Sequence, residues 1–245
     1  MRYNKLSYLQ PFASFSQGFS IGDSGLILRN GVSLNAIDVS PVKVNNYEVG
    51  VNGQYGKFRY EVTGYYSTTK EGTSFMEITP GNFGLTQLPQ RIYGAEAILG
   101  FKTAKWLDLG GSLGYMDGKE DTGNDGSYDA KVDNATISPL KIAENVNFTI
   151  TPQWNLSVQL VNISGRDEFP KEKWNYEKYP VTGYTLFDLY TAYKFKHITL
   201  TFAVNNLFNA DYYPVHSAVR GATSEGRYYI KVSGTNANLG AIINF

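Results

Sequence analysis

Polar and apolar residues alternate with a period of two along most of this chain, the spacing that puts successive side chains on opposite faces of a strand. In "YEVGVNGQY", Tyr47, Val49, Val51 and Tyr55 share one face, while Glu48, Gly50, Asn52 and Gln54 take the other. Phe58, Tyr60 and Val62 oppose Arg59 and Glu61; Tyr93, Ala95, Ala97, Leu99 and Phe101 oppose Gly94, Glu96 and Gly100. Ile198, Leu200, Phe202 and Val204 oppose Thr199, Thr201 and Ala203, and the chain ends on "NANLGAIINF", where only Ile242 breaks the alternation. The pattern predicts ten strands, at about 8–18, 45–56, 58–69, 91–101, 106–117, 140–150, 154–164, 183–194, 198–206 and 236–245. No helical period of any length competes with it.

The predicted connections also alternate. Short ones fall at 56–57, 102–105, 151–153 and 195–197, and long ones at about 19–44, 70–90, 118–139, 165–182 and 207–235. Aromatics flank the short turns: Tyr55 and Phe58, Phe101 and Trp106, Trp154, then Tyr193 and Phe195. Strands of about ten residues, apolar outside and polar inside, with short turns at one end and an aromatic girdle, are the signature of a transmembrane β-barrel. A soluble β-sandwich shares the alternation and the turns, but has no reason to send every long loop to one end. Inward positions such as Gly50, Asn52, Gly94, Gly110, Ser112, Gly114, Asn145, Asn147 and Ser157 are small or polar, suiting a wide lumen better than a filled core. Glu144 fits badly, because it shares the lipid-facing parity of Ile142, Val146, Phe148 and Ile150.

Composition narrows the chemistry. Lys+Arg and Asp+Glu both number 22, so there is no basic surplus to attract nucleic acid. With no cysteine, disulfides and thiolate metal sites are excluded. No apolar stretch reaches the ~18 residues that a spanning helix needs. The start, "MRYNKLSYLQPF", has no apolar core or cleavage site of a secretory signal.

Several stretches resemble, in order, the C-terminal barrel strands of TonB-dependent outer-membrane receptors. They are "FASFSQGFSIGDSGLILRNG" (12–31), "NYEVGV" (46–51), "RIYGAEAIL" (91–99), "ISPLK" (137–141), "GYTLFDLYTAYKF" (183–195), "NNLFNADYY" (205–213) and the closing strand. Their order and spacing are most similar to receptors of the ferric aerobactin, hydroxamate–citrate kind. The resemblance implies an all-β fold, an antiparallel transmembrane β-barrel segment of about ten strands, the last part of a 22-stranded barrel. It also implies uptake of a ferric siderophore powered through TonB, with iron carried only inside the siderophore and no cofactor. On this reading residues 1–245 are a single barrel region without a plug domain, a fragment not transport-competent alone, lodged in the bacterial outer membrane. Its partners would be outer-membrane lipid, the ferric siderophore, the TonB complex and the barrel assembly machinery. Leu239, Ala241, Ile243 and Phe245 would form the outer-membrane assembly signal.

An anionic ferric siderophore calls for cations and flat aromatic surfaces. The long loops supply them, and the expected ligand-binding residues are Arg29, Arg166, Lys171, Lys173, Trp174, Tyr176, Tyr179, Tyr213, Arg220, Arg227 and Tyr228. Ordinary solvated loops would carry the same residue types. Loop 119–136 holds Glu120, Asp121, Asp125, Asp129 and Asp133, but not in the register of a calcium-binding loop, and reads as a solvated acidic loop. Catalysis has little to draw on. The histidines are His197 and His216, and no nucleophile elbow or phosphate loop accompanies them. Four Asn-x-Ser/Thr sequons, starting at Asn134, Asn147, Asn155 and Asn162, read as chance. Two other architectures remain open on the residues alone: a self-contained ten-stranded barrel, such as an omptin-like protease or an adhesin, and a soluble β-sandwich binding module.

Overall fold

The computed structural model describes residues 3, 5–20, 41–79, 82–132, 136–167, 181–215 and 231–243, with the side chains of 20, 73–79 and 82–86 left aside. It is an antiparallel meander. The strands are β1 (Gln10–Ser20), β2 (Val42–Tyr55), β3 (Phe58–Thr79), β4 (Asn82–Ala104), β5 (Leu107–Glu120), β6 (Ala130–Lys131), β7 (Lys141–Thr151), β8 (Trp154–Ile163), β9 (Tyr184–Lys194), β10 (Ile198–Asn205) and β11 (Asn236–Ile243). Ten strands pair in sequence order, and the two-residue β6 joins the edge of β5 beside them. Each predicted strand is present; most ends shift by a few residues, but β3 runs ten residues past its predicted end and β4 starts nine residues before its predicted start.

The register fixes the faces. Phe15, Tyr47, Tyr66 and Tyr93 lie opposite one another across β1 to β4, and Leu99, Gly111, Glu144, Leu160 and Phe187 across β4 to β9. Ile198, Leu200, Phe202 and Val204 meet Ile243, Ala241, Leu239 and Ala237. Most exposed large apolar side chains belong to this one face, among them Val49 (64% exposed) and Leu239 (80%). The opposite face carries Glu48, Arg59, Glu61, Glu96, Asp108, Asn145, Gln159 and Asp188. A sheet whose apolar face is left exposed needs hydrocarbon against it. Glu144 is on that face, as its parity requires.

The short turns close as expected. Gly56, at φ +58°, takes a left-handed conformation that favours glycine, and lets Tyr55 pair directly with Phe58. Trp106 stacks on Phe148 with ring centres 6.3 Å apart, and Tyr193 lies 4.7 Å from Phe195, so the girdle forms at the short-turn end.

Two expectations for the long loops fail. Among the described residues, 70–79 and 82–90 are strand and not loop. β3 and β4 stay paired from Phe58–Phe101 to Thr79–Asn82, slipping register only between Thr69 and Gly72 and between Glu77 and Thr79. Glycines, threonines and Pro89 in this stretch hid the alternation, and the slip after Thr69 switches its phase. Residues 119–132 are not a merely solvated loop either, because Glu120 and Asp121 are each 1% exposed. The predicted loops at 19–44, 165–182 and 207–235 fall largely outside the described residues, and Phe245 does too.

Candidate ligand-binding face

At the long-loop end, the chain after β5 folds back over the inner wall. β7 pairs with β5 only up to Gly114, and above it β6 takes the vacated edge, pairing Lys131 with Lys119 and Ala130 with Glu120. Val132 and Ile137, both fully buried, then cover Gly118. A side chain at 118 would meet Ile137 Cδ1 at 3.0 Å and Val132 Cγ2 at 3.1 Å, so glycine is what admits them. The "ISPLK" stretch thus places its isoleucine as a plug under the turn. The acidic side chains tie the loop together. Asp121 accepts from the backbone N–H of Asp125 (3.2 Å) and Gly126 (2.7 Å), Asp129 accepts from Thr122, and Glu120 accepts from Gln90 at 3.2 Å.

Asp117 sits beside this shelf. Its carboxylate accepts from Lys131 Nζ at 2.6 Å, from the Gly118 N–H at 2.8 Å and from the Tyr93 hydroxyl at 3.2 Å. Arg166, 3.5 Å away, also donates to the Val132 carbonyl at 3.3 Å. Arg166 and Val181 exchange two backbone hydrogen bonds, 2.9 and 2.8 Å, that close the base of the loop after β8. The Arg166 side chain is only 9% exposed. Of the expected ligand-binding residues, Arg166 and Tyr213 are described. Arg166 holds the shelf to the loop base, and Tyr213 is 40% exposed. Arg29, Lys171, Lys173, Trp174, Tyr176, Tyr179, Arg220, Arg227 and Tyr228 lie outside the described residues. A recess of about 210 Å³ opens between Tyr115, Ser138, Pro139, Gly165 and Arg166, smaller than a drug-sized ligand site.

The "NNLFNADYY" segment forms a built turn. Asn206, 5% exposed at φ +53°, accepts from the Ala210 N–H (2.7 Å) and donates to its carbonyl (2.9 Å) through one side-chain amide. Its backbone N–H donates to Asp188 at 2.8 Å, and its carbonyl accepts from the Thr235 hydroxyl at 2.7 Å. Asn209, also at φ +53°, accepts from the Thr235 N–H. Phe208 packs edge-on against Phe187, and Tyr212 lies 4.3 Å from Tyr184. Burial, and after it the Asp188 carboxylate, holds the Tyr212 hydroxyl above its ordinary range.

The inner face carries two open grooves. One, about 740 Å³, lies between Gln10, Asn52, Arg59 and Glu61; the other, about 500 Å³, between Arg59, Asp108, Ser112, Asn145 and Gln159. Asp117, Lys131, Lys119 and Arg91 were not among the expected site residues. The signal that could have found them is the charge at 117 and 119 on the lipid-facing parity of β5. Among the described residues, no group of His, Cys, Asp or Glu could hold a metal ion.

An exposed apolar face, a polar grooved face and one girdled end together define the wall of a membrane β-barrel. More narrowly, the chain belongs to the family described as TonB dependent receptor-like, beta-barrel, which matches residues 1–207. These receptors are transporters of the bacterial outer membrane, not enzymes. The chain is 28% identical to the rhizobactin receptor of Rhizobium meliloti (strain 1021) over 226 residues, covering 86% of this chain and 29% of that one. It is 27% identical to the ferric aerobactin receptor of Escherichia coli over 219 residues, covering 83% and 28%. The chain therefore spans under a third of the length of these curated relatives. Among solved structures, the copper transporter OprC superposes with a TM-score of 0.80 at 17% identity, over 100% of this chain and 38% of that one.

Proposed function

We propose that these strands form the C-terminal stretch of the barrel of a receptor that imports a ferric siderophore of the hydroxamate–citrate kind, driven through TonB. The observation that carries this reading is the pair of siderophore-receptor relatives, each aligned over more than four fifths of the chain. The likeness to a copper transporter rests on shape at 17% identity and bears on the fold alone. The outer face meets outer-membrane lipid, the barrel assembly machinery inserts the strands, and the protein resides in the outer membrane. The polar inner grooves leave room for water or a docked domain, and the iron stays within its siderophore, with no cofactor on the protein. Ten strands in an open row act as one part of a larger barrel and do not transport alone.

The test is binding to the receptor that carries this chain, purified in detergent and titrated with ferric aerobactin, a ferric catecholate and copper(II). Saturable binding of ferric aerobactin alone supports the reading. Binding of copper or the catecholate in its place overturns the ligand class.

A further inference from the structure

β7 stops short of its neighbours. Its pairing ends at Lys141, opposite Gly114 of β5 on one side and Ile163 of β8 on the other. β5 runs on to Glu120, and the chain beyond β8 continues to Arg166. The loop after β5 and the loop after β8 meet in the gap so left. The first contributes β6 and Val132, which packs with Ile137 over Gly118. The second contributes the Arg166 guanidinium, which reaches Asp117 at 3.5 Å and the Val132 carbonyl at 3.3 Å. Asp117 also accepts from Lys131 and from the Gly118 N–H. Asp117, Val132, Ile137 and Val181 are all buried.

The base of the loop after β8 leaves Arg166 little freedom. Its backbone is bonded to Val181 in both directions. Just below, a Cβ at Gly183 would meet the Gly165 nitrogen at 2.7 Å and the Ile163 carbonyl oxygen at 2.9 Å. Backbone atoms cannot swing aside as the end of a side chain can, so the close approach requires glycine at 183. The place of Arg166 is thus set by the base of one loop, while its side-chain bonds end on the other. Neither loop lifts alone without taking a guanidinium that is 9% exposed off its acceptors, and bonds to charged groups are among the strong ones.

We propose that the shelf formed by residues 117–132 and the base formed by 163–167 and 181–183 open as one cooperative unit, tied through Arg166, Asp117 and Val132. Local opening in proteins occurs in such contiguous units. A ligand or partner that pins either loop then pins both. The inference rests on the fold and holds whichever ligand the receptor carries.

The test is backbone amide hydrogen exchange, read by mass spectrometry on the receptor carrying this chain in detergent, with the heat-induced gel shift showing that each variant is assembled. Gly183→Ala pries at the loop base and touches no residue of the shelf, yet should speed exchange across 121–132 about tenfold. Gly118→Ala works from the other side. Its methyl group would meet Ile137 Cδ1 at 3.0 Å and Val132 Cγ2 at 3.1 Å, and exchange at Arg166 and Val181 should rise similarly. Relative to R166Q alone, both cross-effects should vanish in the double variants R166Q/G183A and R166Q/G118A. Asn206→Ala, in a separate turn, should leave both segments unchanged. If a glycine variant does not assemble, R166Q against R166K supplies the comparison: the first should loosen both segments and the second neither. Loosening confined to the altered loop, cross-effects that persist without Arg166, R166Q acting on one segment alone, or an equal rise in Asn206→Ala would each overturn the proposal.

Discussion

Asn206 occupies a conformation that few side chains tolerate, and its one amide satisfies both backbone groups of Ala210. Asn206→Ala keeps the unfavourable φ and strands two half-buried backbone groups of Ala210. The expected loss is about 2–4 kcal/mol, read as a lower temperature for the heat-induced gel shift of the barrel. Asn206→Asp should fall between wild type and the alanine variant, since it keeps the acceptor for the Ala210 N–H and loses the donor to the Ala210 carbonyl. Arg166 poses a different question, because its guanidinium is turned onto Asp117 and the Val132 carbonyl. Arg166→Ala should speed proteolysis within residues 121–132 several-fold while leaving siderophore affinity within about twofold. A large loss of affinity with unchanged proteolysis would make it a ligand-contacting residue.

Among the elements, β7 carries the discordant Glu144, six residues above Ile150 and opposite Gly111 and Leu160. At about 15 Å above the girdle it lies within the apolar band. Glu144→Leu should raise barrel stability by about 1–2 kcal/mol, measured by urea unfolding in lipid vesicles. A decrease would mean that the carboxylate has a partner in the membrane. β11 presents Leu239, Ala241 and Ile243 outward, as its alternation requires. Deleting Phe245 should lower the amount of assembled receptor in the outer membrane several-fold at unchanged synthesis, read by immunoblot of membrane fractions. The ten strands of the meander were legible because each strand has a wet and a greasy face, which imposes period two on the sequence. The outer part of β3 and β4 was not, since its glycines, threonines and Pro89 dilute the alternation and the register slip after Thr69 switches its phase. The shelf escaped for a related reason: Glu120 and Asp121 read as solvated charge, yet they are buried by bonding Gln90 and backbone N–H groups. No period reports such local bonds.

For the molecule as a whole, β1 and β11 each pair on one side only among the described residues. In hydrocarbon an unpaired edge costs several kcal/mol for each stranded backbone group. If the strands belong to a wider barrel, β1 and β11 are not neighbours. The chain has no native cysteine, so cysteines placed at Ser14 and Gly240 report on this directly. They should form no intrachain disulfide in the assembled receptor, and efficient cross-linking would establish a closed ten-strand barrel instead. The tall β3–β4 hairpin bears on how the mouth of such a barrel can move. Its ladder resists sliding along its whole length, and the register slips first between Thr69 and Gly72. That slip is a knee: the stalk above it can sway as a stiff rod, but cannot fold flat over the opening without tearing its own rungs.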